Sequence, residues 1–270
     1  MCKQNLHTHS TFCDGKNTPE EMVQEAIARG FDSLGFSMHS YMSCSCLEGV
    51  TLEKVETYKK EIRRLKEAFQ DQLEIFLGIE YDFYADCSHE EYDYSIVSVH
   101  YLQTAEGIQC FDMDLARTQD FIKRYFGGNA MEFARAYYER LAMAPSLGKF
   151  DILGHFDLIT KNNETGKFLD TGSKEYLGYA LDAVHALAGK VPLFEVNTGA
   201  IARGYRTAPY PQMEILKELR AAGFGAVISS DCHNKQFLDC GFEDARELLR
   251  AAGFDSRFVL TKQGFQDVGL

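Results

Sequence analysis

The chain has no excess of basic residues: 28 Lys and Arg stand against 40 Asp and Glu, for a formal charge of -12. A protein that grips nucleic acid by general basicity needs the opposite balance. A small anionic substrate remains compatible, because bound metal ions can supply local positive charge. There is also no run of roughly eighteen apolar residues, and the opening "MCKQNLHTHS" lacks an apolar signal core. Neither a membrane span nor a secretory leader is expected. Nor is there a disulfide framework: the cysteines are scattered at 2, 13, 44, 46, 87, 110, 232 and 240. Reduced thiols and a cytoplasmic location are therefore expected. Cys44 and Cys46 are too close together and too isolated for a zinc knuckle. Low-complexity stretches, long linkers and solenoid repeats are missing too, so one domain over residues 1–270 is expected. Without a Walker-type loop or a GxSxG elbow, P-loop and serine-hydrolase chemistry have no support.

What is present is an alternation of short apolar runs with amphipathic ones. "KQNLHTH" is followed by "TPEEMVQEAIARG", in which Thr18 can cap, Pro19 suits the first helical position and Glu21 completes a capping box. Gly30 closes that helix. Strands are expected at "DSLGFSMH", "LEIFLGIEYD", "YDYSIVSVHY", "FDILGHFD", "VPLFEVNTG" and "GAVISSD", with a last short one at "SRFVLT". Helices are expected from Thr51 to about Gln72, as a pair between about 114 and 144, and at "SKEYLGYALDAVHALAG", "PQMEILKELRAAG" and "FEDARELLRAAG". Strand followed by helix, repeated along the chain, indicates α/β architecture with a parallel sheet. Periodicity alone leaves open whether the sheet closes into a barrel or stays doubly wound.

The histidines fall into place on this map. His7 and His9 end the first strand and His39 the second; Glu80, His100 and His155 end the next three. Glu195 and Asn197 end the sixth strand, and Asp231 and His233 the seventh. Sites in parallel α/β proteins are built at this C-terminal edge. His7 and His9 alternate along a strand, so both imidazoles can face one ion. His89, in a polar loop, and His185, in an amphipathic helix, lie outside the pattern and are assigned to structure or surface. Imidazole and carboxylate together suit zinc, iron or manganese. With Asp14, the set is too large for one tetrahedral ion and can hold two or three. Such clusters neutralise phosphoryl charge and activate water, which points to metal-assisted hydrolysis of a phosphate ester. Arg203 and Arg206, in "VNTGAIARGYRTAPYP", are candidate phosphate ligands.

Taken in order, "HTHSTFCDG", "GFSMHS", "GIEYDF", "SVHYL", "GHFDLI", "EVNTGAIARGY…PYP" and "SSDCHN" resemble the motifs of the PHP (polymerase and histidinol phosphatase) superfamily, most closely its monofunctional histidinol-phosphatases. The resemblance spans nearly the whole chain. It implies a distorted (β/α)7 TIM-like barrel with three divalent ions at the C-terminal edge of the strands. His7, His9, Glu80 and Asp231 would hold one ion. Glu80 would bridge to a second, held by His100 and His155, and Asp14, His39 and His233 would hold the third. A hydroxide bridging two ions would attack phosphorus in line, and Arg203 would bind the phosphate. The reaction implied is hydrolysis of L-histidinol phosphate to L-histidinol and phosphate in histidine biosynthesis. Rival readings are a PHP phosphoesterase for a nucleotide or sugar phosphate, a polymerase-associated PHP domain, and a non-catalytic metal-binding module. Histidinol carries an ammonium and an imidazole, and Tyr81, Asp82, Phe83 and Tyr84 are candidates to receive them. The chain departs from the family's habit at Met38, where an acid is common, and at Cys232, where a small residue is usual. The first is expected to alter the surroundings of the third ion, the second to add sensitivity to oxidation.

Overall fold

The computed structural model describes residues 2–43 and 50–270; Cys44 and Cys46 lie outside the described residues. In chain order, β1 (Gln4–Asn5), α1 (Pro19–Ala28), β2 (Ser33–His39), α2 (Leu52–Ala68), β3 (Glu74–Asp82) and β4 (Tyr94–Ser98) build the first half. A hairpin of β5 (Tyr101–Thr104) and β6 (Gly107–Cys110) follows, then α3 (Leu115–Phe126), α4 (Ala130–Ala142) and β7 (Ile152–Leu153). Next come α5 (Asn163–Gly166), α6 (Lys174–Leu187), β8 (Leu193–Asn197), α7 (Gly199–Ala202), α8 (Met213–Ala221) and β9 (Gly225–Ser229). The chain finishes with α9 (Phe242–Ala251), β10 (Ser256–Thr261) and β11 (Gly264–Gly269).

Local chemistry accounts for the helices. In α1 the Thr18 side chain accepts from Glu21 N and the Glu21 carboxylate accepts from Thr18 N, which satisfies two orphan donors reciprocally. Met22, Val23 and Ala26 then fall on the buried face. In α2, Thr51 caps, and Val55, Tyr58, Ile62 and Leu65 recur at helical spacing against the sheet.

Seven strands pair in parallel in the order β1-β2-β3-β4-β7-β8-β9. The seam between β9 and β1 is closed just beyond the strand ends. His9 N donates to Cys232 O and Cys232 N to His7 O, both at 2.9 Å, while Asn5 Nδ2 donates to Ser230 Oγ at 2.7 Å. The sheet is thus a barrel, in which a side chain does part of the work of backbone pairing. Leu6, Phe76, Tyr94, Ile96, Ile152, Leu193 and Val227 fill its interior. Leu260 of β10 closes the bottom, exchanging two hydrogen bonds with the Gln4 side chain at 2.7 and 2.8 Å. The outer face of the sheet packs on the helices in the larger core.

Four segments differ from the sequence expectation, the first being the opening strand, which covers only Gln4–Asn5 so that His7 and His9 follow it. "FDILGHFD" is a strand only at Ile152–Leu153. Beyond it, Gly154 N still reaches Val97 O, but His155 N turns to the Glu195 carboxylate, and the chain leaves in a 3-10 turn at Leu158–Thr160. "YDYSIVSVHY" divides at His100, where β4 gives way to the β5–β6 hairpin. The last strand is one half of a hairpin, because β11 pairs with β10 antiparallel.

Candidate metal centre

The residues picked from the strand ends converge on one point. His7 and His9 leave β1 on the same side and are fully buried. The chain then reverses over Ser10–Gly15, with Cys13 N and Gly15 N both donating to Ser10 O at 3.0 Å. Gly15 permits the reversal: a Cβ there would lie 2.5 Å from the His9 carbonyl carbon. The turn carries Asp14 back over the barrel mouth, where its carboxylate stands 3.6 Å from His9 Nδ1, 3.6 Å from His39 Nε2 and 3.0 Å from His233 Nε2.

Glu80, at the end of β3, is the hub. Its Oε2 lies 3.2 Å from His7 Nε2, 3.4 Å from His9 Nε2 and 3.0 Å from His39 Nδ1. Its Oε1 lies 3.3 Å from His100 Nε2 and 3.0 Å from His155 Nε2. Asp231 Oδ1 approaches His9 Nε2 at 3.3 Å, His233 Nδ1 at 3.4 Å and His7 Nε2 at 3.7 Å. Asp231 adopts a left-handed backbone, φ 43°, which is strained for a residue with a Cβ. Gly199 makes room for it, since a Cβ at 199 would meet Asp231 Cβ at 2.7 Å.

This donor set fits divalent ions. His7 Nε2, His9 Nε2 and Glu80 Oε2 are buried and have no hydrogen-bond partner among the described residues, an arrangement that costs free energy unless something else satisfies them. Two donors about 2.1 Å from a tetrahedral ion stand roughly 3.4 Å apart, close to the spacings above. Among the described residues, three groups of donors are compact enough for an ion: His9, Asp14, His39 and His233; His7, His9 and Glu80; and His39, Glu80 and His100. His9 and His39 each belong to two groups, so the imidazoles are shared more closely than the family resemblance divides them.

Of the carboxylates behind the histidines, Glu195 had received no role from the sequence and Asp82 only that of a candidate substrate contact. Glu195 is completely buried in β8 and accepts from His7 Nδ1 at 2.9 Å, His155 N at 2.7 Å, Asn197 Nδ2 at 2.8 Å and Ser229 Oγ at 2.5 Å. Asp82 accepts from His100 N at 3.0 Å and faces His100 Nδ1 at 3.2 Å. Each carboxylate fixes a ring so that Nε2 points into the cluster. A signal was available: an acid inside the apolar strand "LFEVN" has to be paired.

Electrostatics differ from ring to ring in the metal-free protein. Burial lowers the His9 pKa to about 3, helped by the neighbouring His233 and His39, so its nitrogens are free of the second proton. Burial works against the His100 imidazolium as well, but Glu80 and Asp82 outweigh it and raise the pKa to about 10. At His7, Glu195, Glu80 and Asp231 likewise overcome burial and raise the pKa.

The remaining sequence candidates are placed as follows. Arg203 donates to Asp231 Oδ2 at 2.8 Å and to Asp231 O at 3.0 Å, at the wall of the cavity over the cluster. Arg206 is not among the residues lining that cavity; its guanidinium bonds Thr160 Oγ1 and lies over the Tyr210 ring at 4.3 Å. Tyr81, Asp82, Phe83 and Tyr84 do not line it either. Met38 alternates with His39 and points into the helix-side core, away from the cluster. Cys232 is buried and donates to Asn234 O at 3.0 Å, and burial pushes its pKa up to about 12. A thiol of that kind is protonated and poorly reactive, contrary to the expected sensitivity to oxidation. His89 stacks on Phe150 and bonds Lys149 O, and His185 pairs with Glu218 at the surface, so both are structural.

Above the cluster lies a cavity of about 240 Å³, walled by Asp14, His39, Glu80, His100, His155, Asp231 and His233 and by Tyr101, Asp112, Lys161, Arg203 and Tyr205. A closed parallel barrel with a histidine–carboxylate cluster at the C-terminal ends of its strands is the architecture of a metal-dependent hydrolase. The PHP domain family matches residues 5–199, and the chain belongs to that family. Asp231, His233 and Arg203 lie beyond the matched span. The chain is 28% identical over 267 residues to a protein of Deinococcus radiodurans named "Probable histidinol-phosphatase", covering 94% of each chain. It is 26% identical to the histidinol-phosphatase of Bacillus subtilis, covering 86% of this chain and 94% of the other. The fold matches the crystal structure of histidinol phosphate phosphatase from Lactococcus lactis, complexed with Zn, L-histidinol and phosphate, with TM-score 0.72, 20% identity and 98% coverage of both chains.

Proposed function

We propose that the protein is a metal-dependent histidinol-phosphatase, a single PHP barrel domain in the cytoplasm that hydrolyses L-histidinol phosphate to L-histidinol and phosphate. The carrying observation is the Glu80 carboxylate, buried and ringed by His7, His9, His39, His100 and His155 at 3.0 to 3.4 Å. The full-length likeness to proteins named for this activity supports the substrate.

Three divalent ions, of zinc, iron or manganese, would be held by His7, His9, Glu80 and Asp231, by Glu80, His100 and His155, and by Asp14, His39 and His233. When bound, such ions offset phosphoryl charge and lower the pKa of water. The chain's own residues do the rest. Glu195 and Asp82 fix the rings of His7 and His100 through Nδ1, so that Nε2 is the atom offered to an ion when its proton is displaced. Arg203, carrying a fixed positive charge at the cavity wall, would take phosphate oxygens. The cavity of about 240 Å³ suits an ester with a small leaving group.

No helix among the described residues is long and apolar enough to cross a membrane. The acidic charge supports a small-molecule substrate over nucleic acid. A panel of small phosphate monoesters tests the assignment: histidinol phosphate should give the highest kcat/KM. Preference for a nucleotide or sugar phosphate would move the protein elsewhere in the family.

A further inference from the structure

Two groups in the cavity wall take no part in the histidine–carboxylate cluster. Lys161 follows the 3-10 turn at Leu158–Thr160, and Asp112 follows β6. The Lys161 ammonium forms an ion pair with Asp112 Oδ1 and lies over the Tyr205 ring, 5.0 Å from its centroid. The Lys161 side chain is only 11% exposed. Its backbone is fixed by the turn, and the preceding Thr160 is braced through its hydroxyl to Asp157 O and to Arg206. Asp112 is set by the bond from Phe111 N to His100 O.

Ion pairs withdrawn from water contribute little to stability, because desolvation offsets the attraction. This pair instead places one positive and one negative group beside the cluster, both facing the cavity. An ester whose leaving alcohol carries an ammonium group brings the complementary two charges. When it enters, the Lys161 ammonium can pass from Asp112 to a phosphate oxygen while Asp112 accepts from the substrate ammonium. One ion pair becomes two, and no charge is left buried alone.

We propose that Asp112 and Lys161 form a charge-exchange site that selects aminoalkyl phosphate esters, Asp112 taking the ammonium of the leaving group and Lys161 the phosphate. The assignment rests on the proposed activity and names its specificity residues. With a neutral leaving group Lys161 turns to the phosphate only by leaving Asp112 unpaired, and a carboxylate-bearing leaving group is repelled by Asp112.

The test compares metal-loaded wild type with Asp112→Asn on L-histidinol phosphate and on its analogue lacking the amino group. Wild type should favour the amino ester by about tenfold or more in kcat/KM, chiefly through KM. Asp112→Asn should bring the ratio near one by losing activity on the amino ester alone. Asp112→Ser provides the same readout should the Asn variant fail to fold. Lys161→Met should raise KM for both esters alike and weaken inhibition by inorganic phosphate. The site is overturned if wild type does not discriminate, if the Asp112 variants keep the wild-type ratio or lose both esters equally, or if Lys161→Met leaves phosphate inhibition unchanged. Wild type that cleaves neither ester but turns over another monoester refutes the proposed function instead.

Discussion

At the residue scale, Glu195 makes the most instructive contacts. It has no place in the donor groups, yet its four hydrogen bonds tie β1, β8, β9 and the segment after β7 together beneath the cluster. A carboxylate so saturated holds its histidine partner in one orientation. Glu195→Gln should therefore weaken metal binding by roughly 10–100-fold, measured by competition with a chromophoric chelator. Unchanged affinity would mean that the His7 ring is oriented by packing alone. Glu80→Gln removes a charge shared by five imidazoles and should cost more in metal content than Glu195→Gln. The histidines and carboxylates of the cluster were legible in the sequence because histidine is scarce and strand ends are recognisable. Asp82, Glu195, Asp112 and Lys161 were not given their roles, because their partners lie far away in sequence and only the folded barrel brings them together.

At the element scale, the Ser10–Gly15 turn does the work that strand spacing cannot. It returns Asp14 to His39 and His233 across the barrel mouth. Gly15→Ala places a methyl against the His9 backbone, so the turn must open. The expected cost is about 1–3 kcal/mol in chemical denaturation, together with loss of the ion nearest Asp14. If the variant retains full stability and metal content, the turn is looser than the packing indicates. The helices were read well because caps and apolar spacing are local signals. The β5–β6 hairpin was missed: its turn at Ala105–Glu106 carries no Asn-Gly or Asp-Gly signal, and its strands are only four residues each. β7 was overestimated because an apolar run continues past the point where His155 N leaves the ladder for Glu195.

At the scale of the whole molecule, the cluster couples folding, protonation and metal binding. In the metal-free protein the His100 pKa rises from 6.5 to about 10. A raised folded-state value contributes stability that is fully present below pH 6.5 and is lost as pH climbs through about 10. His7 and His39 shift in the same direction, His39 because Glu80 and Asp14 outweigh burial. The metal-free protein should thus show a falling Tm from pH 7 toward pH 10. Metal ions displace these protons, so adding zinc at pH 7 in weak buffer should acidify the solution. A Tm flat with pH, or binding without proton release, would contradict imidazoles that are protonated before metal binds. The sequence left barrel and open sheet undecided because the choice depends on one seam, made by Thr8, Cys232 and the Asn5 side chain.

The central claim is that the strand-end cluster is a metal centre that hydrolyses histidinol phosphate. Its most direct test is phosphate release from L-histidinol phosphate by one preparation, followed alongside its metal content through strong chelation and metal restoration. Turnover should accompany up to three ions per chain, disappear with them and return when they are restored. Turnover that survives complete metal removal, or metal-replete protein that leaves histidinol phosphate intact, would contradict it.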